Sequence, residues 1–132
     1  KDGEGASKFV TIKVAGAQSQ ASAKTIAGDV ANSPLLKTAL AANDANWGRV
    51  GMAVGKSGEP IELEQLSIWF DDVQVAERGG RADDYNEAEA TAAVSKPDIH
   101  IRIRVGTGNG AATVYTCDLT HGYVDINGAY RT

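Results

Sequence analysis

Residues 98–105 read DIHIRIRV, an unbroken alternation in which Ile99, Ile101, Ile103 and Val105 face one way and His100, Arg102 and Arg104 the other. Successive side chains of a strand point to opposite faces, so this stretch is a strand with one buried and one solvated face. Immediately upstream, DDYNEAEATAAVS (83–95) predicts a helix. Asp83 or Asp84 is expected to cap it, Glu87 and Glu89 sit where its dipole favours anions, and Pro97 stops it. Downstream, GTGNGA (106–111) is expected to turn the chain round as a hairpin, because Asn109-Gly110 readily takes the positive φ angles of a tight turn. TVYTCDLTHGYVDI (113–126) then returns as one strand or two.

The same signals extend towards the N-terminus. KFVTIKVA (8–15) alternates Phe9, Thr11 and Lys13 with Val10, Ile12 and Val14, which predicts a strand from Lys8 to Ala15. In QSQASAKTIAGDVAN (18–32), Ala23, Ile26, Ala27 and Val30 recur at three- and four-residue steps and mark one apolar stripe of a helix. A second helix restarts in NSPLLKTALAAN (32–43), with Ser33 as N-cap and Pro34 at its first position. NDANWGR (43–49) breaks the pattern, and VGMAVGK (50–56) reads as a short glycine-rich strand approached closely by other backbone. LSIWFDDVQVAERGG (66–80) holds two strand-like runs around Asp71 and Asp72, a hairpin ended by Gly79 and Gly80. Together these imply an α+β domain whose mainly antiparallel sheet is covered by helices on one face.

Composition bounds the function. A chain of 132 residues is one domain by length, and 13 Lys+Arg against 17 Asp+Glu repel phosphate backbones on average, which argues against nucleic acid as the main partner. Cys117 is the only cysteine, so no internal disulfide or thiolate zinc cluster can form, as in a reducing compartment. No apolar run reaches the roughly 18 residues of a membrane span. The expected location is the cytoplasm, without a membrane.

Most polar features have a plain structural reading beside a sharper one. GTGNG resembles a phosphate loop, yet a strand rather than a helix follows it, which favours a turn. Cys117 and His121 would be about 13 Å apart on an extended strand, too far for a nucleophile and its base without a bend. The stripe of His100, Arg102 and Arg104 reads as a solvated sheet face, or else as an anion or subunit contact. The Asp71-Asp72 and Asp83-Asp84 pairs lack the oxygen-ligand spacing of a calcium loop and suit turn and cap duties. Two stretches stand apart. GEGASK (3–8) sets Glu4 between glycines, where backbone can approach a ligand and a carboxylate can receive an ammonium group. YVDINGAYRT (123–132) carries aromatics up to the terminal carboxylate, which favours docking over fraying.

In order and spacing, DGEGASKFVTIKV (2–14), ANSPLLKTALAANDANWGRV (31–50), GRADDYNEAEA (80–90) and CDLTHGYVDINGAYRT (117–132) resemble the C-terminal part of the ornithine acetyltransferases, also called glutamate N-acetyltransferases, of arginine biosynthesis. The resemblance covers essentially the whole chain. It implies an enzyme made as a precursor that cuts itself before a threonine, leaving two chains that assemble into a heterotetramer. That new N-terminal threonine takes acetyl from N-acetylornithine and passes it to glutamate, releasing ornithine and N-acetylglutamate; bifunctional members also use acetyl-CoA as donor. No resident cofactor or metal is implied.

The present chain begins at Lys1, and internal threonines such as Thr11 or Thr38 have no free α-amine to act as base. The resemblance therefore implies that residues 1–132 are a single C-terminal domain, with a ubiquitin-like α/β roll, of a longer self-cleaving enzyme. The catalytic residues lie upstream in the missing N-terminal chain, none in this one, and the fragment alone is expected to be inactive. Three family substrate-binding positions match: Glu4, for the substrate's amino group; Asn127, whose amide can donate to a carboxylate and accept from an amine; and Thr132 at the end. Gly3 and Gly5 would bring Glu4 up to the ligand. Asn46 to Arg49, NWGR, is a family marker expected to form a structural loop near the site. The contrasting reading is a binding or interaction domain that lost the catalytic half.

Overall fold

The structure is a computed structural model and describes residues 8–118. Along the chain run β1 (Phe9–Ala17), α1 (Gln20–Ala31), α2 (Pro34–Ala41), α3 (Trp47–Lys56), β2 (Ser67–Phe70), β3 (Val73–Glu77), β4 (Gly80–Arg81), α4 (Glu87–Val94), β5 (Asp98–Arg104) and β6 (Gly110–Cys117). The strands form one sheet in the order β4-β3-β2-β5-β1-β6. β1 and β5 run parallel, and the other four pairings are antiparallel. The architecture is α+β with a largely antiparallel sheet, as the alternation implied.

Register builds the core. Val10, Ile12 and Val14 of β1 align with Ile99, Ile101 and Ile103 of β5, while Phe70 and Ile68 of β2 stand beside Ile101 and Ile103. None of these eight is more than 2% exposed. Each such side chain stabilises the fold by about 1.5–3 kcal/mol when buried, more than a typical helix cap contributes, so this apolar row dominates strand placement. α1 lays Ala23, Ile26, Ala27 and Val30 over β1 and β6, α4 rests on β2 and β3, and α3 packs against α1 and α2. No described helix is long and apolar enough to cross a membrane.

Serine side chains cap the first two helices, at α2 with the Ser33 that the sequence predicts. Ser19 Oγ accepts from Ser22 N at 3.0 Å, and Ser33 Oγ accepts from Leu36 N at 3.2 Å, with Pro34 opening α2. The β2–β3 hairpin also forms about Asp71 and Asp72.

Three local expectations are corrected. VGMAVGK is helix, not strand: Val50, Ala53 and Val54 bury one stripe of α3, and a Cβ placed on Gly51 or Gly55 would touch nothing. These glycines leave an outer face bare; they do not mark a close approach. The cap of α4 is Asn86, whose Oδ1 accepts from Glu89 N at 3.0 Å, and not Asp83 or Asp84, which lie in the preceding turn. Residues 106–110 are not a hairpin, because β1 lies between β5 and β6. Neither Asn109 nor Gly110 has a positive φ. The connection instead crosses the end of β1, where a Cβ on Gly108 would sit 2.2 Å from Ala17 O and one on Gly110 2.0 Å from Ser19 O. Glycine is required there by touching backbones.

Candidate functional site

The strand alternation puts Lys8 in phase with Val10, Ile12 and Val14, facing the core, and the residue is only 8% exposed. An ammonium there needs acceptors, since burying it unpaired would cost several kcal/mol. Lys8 Nζ donates to Val94 O at 2.8 Å, to Leu40 O and to Asn43 Oδ1. Leu40 lies in the last turn of α2, where its carbonyl also accepts from Asn43 N at 3.1 Å, and Val94 is the last residue of α4, so both carbonyls belong to helix ends. The cation also meets the negative end of each helix dipole. Asn43 is held at φ +58°, a left-handed conformation that asparagine adopts more easily than most residues. Burial pushes the Lys8 ammonium below the ordinary lysine range, opposed by the carboxylate of Asp118.

Asp118 closes the same corner from the opposite end of the chain. Lys8 N donates to Asp118 Oδ1 at 3.1 Å, and Asp118 N donates to Lys8 O at 3.3 Å. The pair extends the β1–β6 ladder, in which Phe9 faces Cys117. Lys8 ends the GEGASK motif and Asp118 is the second residue of CDLTHGYVDINGAYRT, so the fold joins two motifs 110 residues apart. Glu4, Asn127 and Thr132, the expected substrate-binding residues, lie outside the described residues, as does His121. The described fold places the junctions from which their segments leave on neighbouring strands.

The remaining candidates have structural work. Asn46 Oδ1 caps α3 by accepting from Arg49 N at 3.1 Å, Trp47 packs against the core, and Arg49 Nη1 donates to Leu35 O at 2.8 Å, tying α3 to the first turn of α2. NWGR is thus a helix start rather than a loop. Arg49 also lines an open cleft of about 340 Å³ with Asp29, Leu35, Met52 and Lys56, none of them an expected substrate residue. Arg102 lays its guanidinium 4.7 Å from the Trp69 ring centre on the exposed sheet face, a cation–π contact. Asp71, at φ +54°, accepts from His100 N at 3.0 Å and pairs with Lys96 at 3.0 Å, which is turn duty. GTGNG leads into β6, so no helix start meets a phosphate there.

Sequence reasoning missed Lys8, treating it as the first residue of a strand. Its signal was parity: a lysine in step with an inward apolar row.

Comparison with known proteins follows the same motifs. A model of the ArgJ family matches residues 1–132. Proteins described as arginine biosynthesis bifunctional protein ArgJ from Rhizobium meliloti (strain 1021) and Agrobacterium fabrum (strain C58 / ATCC 33970) are 58% and 57% identical over the whole chain, which spans 32% of each of them. The crystal structure of arginine biosynthesis bifunctional protein ArgJ from Bacillus halodurans matches with a TM-score of 0.88 at 36% identity, covering 98% of this chain and 61% of that one. On a match that runs through every described element and the segments beyond them, the chain belongs to the ArgJ family.

Proposed function

We propose that this chain is the C-terminal portion of an acetyltransferase that moves acetyl from N-acetylornithine to glutamate, and that its own residues bind substrate rather than perform the chemistry. The observation that carries this reading is the Lys8–Asp118 junction, which supports the segments of Glu4 and of Asn127 and Thr132 serving one site. In this reading Glu4 receives the amino group of ornithine through a charge-assisted hydrogen bond, and Asn127 and Thr132 bind polar groups of the same substrate. The nucleophile is a threonine in the preceding two thirds of the protein, exposed by self-cleavage, with its α-amine as the base. Its hydroxyl oxygen attacks the acetyl carbonyl, ornithine leaves as the amine, and glutamate's amine then accepts acetyl from the threonine ester. Acetyl-CoA serves as an alternative donor to the same threonine. The two chains of the cleaved protein assemble as a heterotetramer in the cytoplasm, and no resident cofactor takes part.

The test compares the full-length gene product with the 132-residue chain in acetyl transfer from N-acetylornithine to glutamate, without acetyl-CoA. Activity of the full-length product alone, with two bands on a denaturing gel, is expected. Transfer by neither would replace this reading with a binding domain that has lost its catalytic partner.

A further inference from the structure

Among the described residues, the buried charged side chains are Lys8 and Asp118. An apolar residue at position 8 would continue the Val10–Ile12–Val14 row without the desolvation an ammonium suffers. What an apolar residue could not do is hold Leu40 O, Asn43 Oδ1 and Val94 O on one centre. That centre fixes the start of β1 against the ends of α2 and α4, while the Lys8 backbone pairs with Asp118. Glu4 precedes Lys8 by four residues, a length of chain that spans at most about 14 Å. Its tether therefore begins at the lysine.

We infer that Lys8 is a positioning residue for substrate binding: its ammonium pins the β1 start to two helix ends and so fixes where the Glu4 segment departs. The inference rests on the reading of Glu4 as the residue that receives the substrate's amino group. Lys8 touches no substrate in this account and acts only through the chain it anchors. A Lys8 that merely stabilised the fold would alter the amount of folded enzyme and leave substrate affinity alone.

The test is a double-mutant cycle in the full-length protein, with Lys8→Met, Glu4→Ala and their combination assayed for N-acetylornithine-to-glutamate transfer. Lys8→Met is expected to raise KM for N-acetylornithine about ten-fold with kcat nearly unchanged, a coupling within the range for interacting residues. In the Glu4→Ala background it is expected to add nothing, since the group it positions is gone. Asn43→Gly is the milder companion, removing one acceptor of Lys8 while keeping the left-handed backbone accessible. It is expected to raise KM less, again only when Glu4 is present. Effects on KM that multiply across the cycle would overturn the inference, and so would a Lys8→Met enzyme that loses only kcat or yield. Should Lys8→Met fail to fold, an unchanged KM in Asn43→Gly has the same force. Failure of the wild-type protein to transfer acetyl would instead sink the functional reading, and this inference with it.

Discussion

Lys8 shows how one buried charge connects local pattern to the proposed function. Its Nζ contacts come from two helix ends and a left-handed asparagine, so Lys8→Met takes a donor from Val94 O and Asn43 Oδ1, while Leu40 O still accepts from Asn43 N at 3.1 Å. Each buried acceptor left without a donor costs about 1–3 kcal/mol, partly offset by water entry and by relief of the buried charge. A net loss of a few kcal/mol in urea unfolding of the full-length protein is the expected result. The pH dependence has a definite sign. Burial lowers the folded-state pKa from the ordinary 10.5, so between the two values the unfolded chain binds the Lys8 proton more tightly than the folded one. In that window the unfolding free energy rises with pH, and Lys8→Met should flatten the rise. Urea titrations stepped from about pH 8 towards the unfolded value measure it, and a steeper slope in the variant would contradict the assignment. At Glu4, substitution by alanine should weaken N-acetylornithine binding by about 1.5–3 kcal/mol, the range for a hydrogen bond to a charged group. That corresponds to a KM raised roughly ten- to 150-fold, and an unchanged KM removes Glu4 from the site.

Among the secondary-structure elements, the glycines divide by what surrounds them. Gly110 opens β6 where an added Cβ would meet Ser19 O at 2.0 Å, whereas Gly51 lies within α3 and an added Cβ meets nothing. Gly110→Ala is expected to destabilise by about 3 kcal/mol or more, the upper end for overpacking, because the obstacle is backbone. Gly51→Ala should stabilise by about 0.5–1 kcal/mol through reduced freedom of the unfolded chain. Thermal unfolding of the two variants should thus shift in opposite directions. The caps give a smaller effect: Asn86→Ala removes the oxygen that accepts from Glu89 N and should cost α4 about 0.5–2 kcal/mol. These elements were unequally legible. The 20–31 helix followed from apolar spacing, and the 34–41 helix from the Ser33 cap, Pro34 and its apolar residues. α3 did not, because glycines at 48, 51 and 55 disguised the Val50–Ala53–Val54 stripe.

In the fold as a whole, β1 occupies the centre of the packing, paired on both edges and covered by α1. β4, only two residues long, closes the far edge of the sheet. Native-state hydrogen exchange should therefore find the amides of Ile12 and Ile101 opening only with global unfolding, and that of Arg81 by local opening. Equal protection at these sites would refute this hierarchy. The sheet's other face keeps Phe9 and Tyr115 stacked with ring centres 5.8 Å apart, and both are more than half exposed.

Residues within a few positions of one another were decided by the sequence itself: strand parity in 8–15 and 98–105, the Ser33 cap, the Asp71-Asp72 turn and the family motifs. Each rests on a local rule, the two-residue period of a strand or a side chain capping its own helix. Only the tertiary structure decided that β1 separates β5 from β6, that 106–110 crosses another backbone, and that Lys8 finds Leu40, Asn43 and Val94. The reason is physical: strand order is selected by pooling apolar faces from distant segments into one core, and a buried ammonium takes whichever acceptors that packing brings to it.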